Sequence, residues 1–118
     1  MEKVLIVDDS KFSRTTIKKA LESIGGYEVV GEAIDGVDGV EQYETLQPDL
    51  IVADMEMPNL NGLEMIKRIR ILSNDVKIVM VTSVANQHLL QDIKKLKTSI
   101  VKKPFKEGDL LQAIKSFR

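Results

Sequence analysis

Five short apolar runs, each followed by a segment of helical period, alternate along this chain and leave it few folds to adopt. The runs are Lys3 to Val7, Glu28 to Ala33, Leu50 to Ala53, Lys77 to Val81 and Ser99 to Lys102. Stretches such as Val4-Leu5-Ile6-Val7 and Leu50-Ile51-Val52-Ala53 have no polar alternation. They therefore read as strands buried on both faces, which is the condition of a parallel sheet covered by helices. Strands alternating with helices predict a three-layer α/β sandwich of five βα units. The run Glu28 to Ala33 contains Gly31 and alternates less cleanly, which suits an edge strand.

The helical segments carry their own start and stop signals. Ser10 is the expected N-cap of a first helix with Ile17, Ala20, Leu21 and Ile24 on one face, ended by Gly25-Gly26. Asp35-Gly36 turns the chain into a second helix, with Val37, Val40 and Leu46 expected inward, and Pro48 blocks its continuation. A loop with Pro58 and Asn61-Gly62 leads to a third helix with Leu63, Ile66 and Ile69 facing the core. Leu89, Leu90, Ile93 and Leu96 mark a fourth, whose other face carries Lys94 and Lys95. Leu110, Leu111, Ile114 and Phe117 mark the last. At 118 residues, with no linker, repeat or low-complexity tract, the chain is expected to be one domain spanning 1–118.

Charge and composition remove several functions. Seventeen Lys plus Arg against eighteen Asp plus Glu leave no large single-sign field for nucleic acid or an anionic membrane. The absence of cysteine excludes disulfides and thiolate metal sites. The start Met-Glu-Lys-Val lacks the regions of a signal peptide, and the apolar runs are far shorter than the roughly 20 residues that span a bilayer. A cytoplasmic location is the expectation.

Every residue equipped for chemistry falls just past the carboxyl end of a strand, where open α/β sheets place their ligands. Asp8 and Asp9 follow the first run, Asp54 the third, Thr82 the fourth and Lys103 the fifth. Each alone has an ordinary structural explanation, as a helix cap, a strand-end hydroxyl or a solvated cation. Their equivalent positions argue for one pocket. Three converging carboxylates repel one another unless a cation joins them, and such oxygen donors suit Mg2+, which takes one or two carboxylates and leaves room for a phosphoryl group. A carboxylate can attack phosphorus to form an aspartyl phosphate. Asp54, alone on its strand, is the expected nucleophile. Adjacent Asp8 and Asp9 would hold the metal, Lys103 supplies a fixed cation and Thr82 a hydroxyl donor.

The segments Val-Asp8-Asp9-Ser, Gly-Glu-Ala-Ile-Asp35-Gly36, Asp54-Met-Glu-Met-Pro58 with Asn61-Gly62, Val-Thr82-Ser83 and Lys102-Lys103-Pro104-Phe105 together resemble the receiver domain of bacterial two-component response regulators. The likeness covers the whole chain and is strongest to the single-domain chemotaxis, or CheY-like, type. It implies a flavodoxin-like sheet of order 2-1-3-4-5. It also implies that Asp54 takes a phosphoryl group from a histidine kinase, and that Asp9, Asp54 and the backbone carbonyl of Glu56 bind Mg2+ with Asp8 in support. Thr82 and Lys103 would contact the phosphoryl oxygens, and the Lys103-Pro104 bond would be cis. The resemblance further implies a switched face on the fourth helix, fifth strand and fifth helix, read by a downstream effector such as a flagellar motor component, with no direct role for nucleic acid or membrane.

Some positions depart from the family pattern. Ile100 stands where an aromatic residue is usual, so its response to Thr82 is expected to act by packing alone. Leu96-Lys97-Thr98 replaces a commoner glycine-containing turn. Glu56 adds negative charge beside the phosphoacceptor and Val84 cannot orient an attacking water, which predicts slow self-dephosphorylation. The run Lys94, Lys95, Lys97 and Lys102 reads as a solvated surface that could also meet an acidic partner. His88 is expected to be an exposed helix residue, and Met55, Met57 and Met65 to be packing.

Rival functions fit less well. A flavin carrier would want a Ser/Thr/Gly-rich phosphate loop after the first strand, where this chain has two carboxylates. A phosphatase of the haloacid dehalogenase type would carry its nucleophile on the first strand with a second Asp two residues on. A receiver fragment of a longer transcriptional regulator and a degenerate receiver acting only as a binding module are the remaining alternatives.

Overall fold

The computed structural model describes residues 1–117. Five parallel strands, β1 (Glu2–Val7), β2 (Tyr27–Ala33), β3 (Leu50–Asp54), β4 (Lys77–Thr82) and β5 (Thr98–Lys102), lie in the order β2-β1-β3-β4-β5. They alternate with α1 (Lys11–Ile24), α2 (Gly36–Leu46), α3 (Gly62–Leu72), α4 (Gln87–Lys95) and α5 (Glu107–Lys115). This is the flavodoxin-like (βα)5 sandwich. The apolar runs are buried because both sheet faces are covered: Leu5, Val7, Ile51, Ala53, Ile78 and Met80 pack with Tyr43, Met65, Ile66, Ile69 and Ile93 of α2, α3 and α4. The alternate residues Val4, Ile6, Leu50, Val52, Val79 and Val81 pack with Ile17, Leu21, Leu110 and Ile114 of α1 and α5. Phe117, beyond the end of α5, packs on the second cluster. No helix among the described residues is long and apolar enough to cross a membrane.

β2 occupies an edge, and its pairing with β1 shifts between Val4 and Leu5, where Val4 faces Val29 and Leu5 faces Gly31. A Cβ on Gly31 would lie 2.6 Å from both Gln42 Oε1 and Leu46 Cδ1, so glycine here admits the side chains of α2.

The buried stripe of α2 differs from the expected one. Val37 is exposed, while Gly36, Gly39 and Tyr43 are buried, with Val40 and Leu46 partly buried against the core. The reason is close approach. Gly36 faces the Leu60 carbonyl, and a Cβ on Gly39 would lie 2.6 Å from Met65 Sδ, so α2 turns its small residues toward α3 and rotates Val37 outward.

The helices α1 to α4 start at the carboxyl end of the sheet with side-chain caps. Ser10 Oγ accepts from the Ser13 amide at 3.2 Å, Asp35 Oδ1 from Asp38 at 2.8 Å, Asn61 Oδ1 from Glu64 at 3.0 Å and Asn86 Oδ1 from Leu89 at 3.1 Å. Gly25 and Gly26 end α1 at φ +82° and +88°.

Candidate functional site

β1 and β3 are neighbours, with Val7 paired to Ala53, so Asp8 and Asp54 emerge side by side at the same end of the sheet. Asp9 follows at the entrance to α1. One carboxylate oxygen from each of Asp8, Asp9 and Asp54 lies within 4.8 Å of the others. β4 brings Thr82 beside this group and β5 brings Lys103, whose backbone N–H donates to the Thr82 carbonyl at 2.9 Å. All five expected residues are therefore together.

The electrostatics are uneven. Asp8 is 1% exposed; its Oδ1 accepts from the Ser10 amide at 2.9 Å, and its Oδ2 is buried without a hydrogen-bond partner. Burial pushes the Asp8 carboxyl above the usual range. The Ser10 amide opposes this, Asp54 adds to it, and Lys103 opposes and Asp9 adds in turn. Lys103 Nζ stands 3.4 Å from Asp54 Oδ1, a loose pair that leaves the second Asp54 oxygen free of it. Thr82, 1% exposed, accepts the Val84 amide on Oγ1 at 3.0 Å and keeps its hydroxyl proton available to a ligand. The Lys103-Pro104 bond is cis.

The donor set fits magnesium. Three carboxylates without sulfur or imidazole are hard oxygen donors, and the orphaned buried Asp8 Oδ2 is the kind of atom a cation or its water would satisfy. The Glu56 side chain is exposed, and its loop is tied at the base by the Gly62 amide donating to the Met55 carbonyl at 2.9 Å.

Three residues that carried no sequence signal hold tertiary contacts, Arg14 and Asn59 near the site and Arg70 at the opposite, amino end of the sheet. Arg14 Nη1 donates to the Asp8 carbonyl at 2.8 Å while its Nε pairs with Glu32 at 3.0 Å, bracing the strand end that bears the acids. Asn59 donates to Asp35 Oδ2 at 2.7 Å. Arg70, at the end of α3, donates to the carbonyls of Val76 and Leu96, both at 2.7 Å, and of Lys97 at 3.1 Å. A charged helix residue reads as a solvated one until the tertiary fold brings carbonyls to it. His88 is exposed, Met55 and Met65 are buried and Met57 packs on the core, as expected of them.

The family model for the response regulator receiver domain matches residues 4–115. The chemotaxis protein CheY of Thermotoga maritima is 35% identical over 114 residues, 96% of this chain and 94% of that protein. CheY of Listeria monocytogenes is 36% identical over 115 residues, 97% and 96% of the two chains. The response regulator domain of Thermotoga maritima CheB superposes with a TM-score of 0.88 at 32% identity, covering 99% of this chain and 96% of that one. The chain thus belongs to the response regulator receiver family. Within it the chain is a phosphoacceptor response regulator of the CheY-like chemotaxis type, a signalling protein that stands between a kinase phosphodonor and a downstream effector.

Proposed function

We propose that Asp54 is the phosphoacceptor and that Asp8, Asp9, Asp54 and the Glu56 carbonyl hold Mg2+ around it. The observation that carries this reading is the meeting of three carboxylates, a buried hydroxyl and a lysine at one strand-end pocket, with one acid oxygen left unpaired. When bound, the cation offsets the mutual repulsion of the carboxylates and the charge of an incoming phosphoryl group. The Asp54 oxygen not paired with Lys103 attacks phosphorus, the P–N bond to the kinase histidine breaks, and the leaving nitrogen takes up a proton. Lys103 and Thr82 then receive the phosphoryl oxygens, which detaches Lys103 from the Asp54 carboxylate and draws on the free Thr82 proton. The domain spans the whole chain in this reading, acts in the cytoplasm and catalyses only its own phosphorylation and dephosphorylation.

Beside the pocket, Phe12 is 81% exposed at the edge of a groove of about 460 Å³ lined also by Thr16, Ile17, Lys103, Pro104 and Phe105. An apolar surface that includes Lys103 suits the kinase that must bring its phosphohistidine to Asp54. On the output side, Thr82, Val84 and Ile100 form a connected path: Val84 donates to Thr82, and both Val84 and Ile100 pack on the cluster containing Ile93 of α4. A shift of Thr82 toward a phosphoryl group would reach α4 and β5 by packing, and the effector read there is a motor component or another chemotaxis protein.

The test is intact mass after incubation with a small-molecule phosphodonor, with and without Mg2+, beside Asp54→Asn. A magnesium-dependent gain of one phosphoryl group that disappears in the variant is expected. No gain in the unaltered chain would leave a binding module.

A further inference from the structure

The loop between β3 and α3 carries the Glu56 carbonyl, and its tip is held by a contact that the chemistry above does not use. Asn59 has left-handed backbone, φ +66°, and the Leu60 amide reaches back across it to the Pro58 carbonyl at 2.7 Å. A reversal this tight is strained for a residue with a side chain. Asn59 offsets the strain by donating through Nδ2 to Asp35 Oδ2 at 2.7 Å. Asp35 is itself buried, and its other oxygen caps α2 on the Asp38 amide at 2.8 Å, so both acceptors are engaged and aimed. Beside this pair the Leu60 carbonyl fills the space a Cβ on residue 36 would need, so Gly36 lets loop and helix touch. At its other end the loop is closed by the Gly62 amide on the Met55 carbonyl. Glu56 lies between the two fastenings.

We propose that the Asn59–Asp35 hydrogen bond is a latch that presents the Glu56 carbonyl to the cation, making Asn59 and Asp35 positioning residues for magnesium affinity. The proposal rests on the magnesium reading given above. A backbone ligand has no rotamer to adjust, so its aim is that of its loop, and a loop tied only at its base samples orientations that a loop tied at both ends does not.

The test is an NMR titration of the full chain with magnesium chloride, following the Met55 and Met57 amides, with thermal midpoints measured in parallel without metal. Asn59→Gly keeps the left-handed backbone freely while removing the donor. It is expected to weaken magnesium about tenfold, the lower end of what partners supporting a metal ligand contribute. The swap D35N/N59D retains a cap and a hydrogen bond of reversed polarity at unchanged net charge. It is expected to stay within about twofold of the unaltered chain, since the fastening and not its chemistry is what matters. Unchanged affinity in Asn59→Gly, whatever its thermal midpoint, would overturn the latch alone. Affinity lost equally in the glycine variant and the swap would overturn it too. An unaltered chain that binds no magnesium would overturn the reading on which the latch rests, and the latch with it.

Discussion

Asp8 shows how the site sets function against stability. Its carboxyl is buried and pushed upward by burial and by the neighbouring acids, with one oxygen unpaired, so at neutral pH its charge opposes folding of the metal-free chain. Asp8→Asn should therefore stabilise the metal-free protein by about 1 kcal/mol in denaturant unfolding, within the range for relieving an unpaired buried group. The same change should weaken magnesium, so added Mg2+ should raise the thermal midpoint of the unaltered chain more than that of the variant. Asp35 has the opposite sign. The Asp38 amide, and after it the Asn59 side chain, hold its carboxyl below the usual carboxylate range. Its stabilising contribution is thus present above the unfolded pKa of about 4 and is lost as pH falls through the lower folded value. Asp35→Ala should cost about 1 kcal/mol at pH 7, with the difference shrinking in unfolding curves taken below about pH 4. The acids of the pocket were legible in sequence because each ends an apolar run. Asn59 and Arg14 were not, because their partners lie 24 and 18 positions away in the chain.

Among the elements, the junction of α4 and β5 is built differently from the glycine turn the family commonly has. Lys97 takes left-handed backbone at φ +57°, and Arg70 of α3 donates to the carbonyls of Leu96, Lys97 and Val76 across the gap. The guanidinium adds to the local turn, in which the Leu96 and Lys97 amides donate to the Ile93 and Lys94 carbonyls, a tertiary clamp between α3, the start of β4 and the start of β5. Arg70→Ala should destabilise the fold by about 2 kcal/mol, as expected for losing hydrogen bonds from a charged donor, and should speed hydrogen exchange at Lys97 and Thr98. Lys97→Gly should stabilise by about 0.5–1 kcal/mol, because glycine adopts this backbone without the steric penalty of a side chain. If both variants leave unfolding unchanged, the clamp carries no weight. The inward faces of α3 and α4 followed from periodicity, as did Ile17 and Leu21 of α1 and Leu110 and Ile114 of α5, while Ile24 and Leu111 stay outside both core clusters. The inward face of α2 did not, since glycines register as weak helix formers and only contact with α3 shows that they are its buried stripe.

For the whole molecule, the consequential property is how long the phosphorylated state lasts. Val84 is partly buried on the α4 side and offers no hydrogen-bonding group to a water near Asp54, while Glu56 is exposed two residues past it. Decay of the Asp54 phosphate, followed by intact mass after removal of the donor, should be slower in the unaltered chain than in Val84→Glu; equal or faster decay would refute the slow-turnover reading. The order of apolar runs determined by itself the five βα units, their three-layer packing and the strand-end location of the five site residues, because burial on both faces of a sheet demands continuous apolar strands. The likeness of the motifs supplied the strand order, the histidine kinase as phosphodonor and the Glu56 carbonyl as an expected metal ligand. What only the tertiary structure decided are the unpaired Asp8 oxygen, the loose Lys103–Asp54 pair, the Arg70 clamp and the Asn59–Asp35 latch. These depend on the distance and direction between groups remote in sequence, and hydrogen bonds and charges act over only a few ångströms, so no local pattern of residues encodes them.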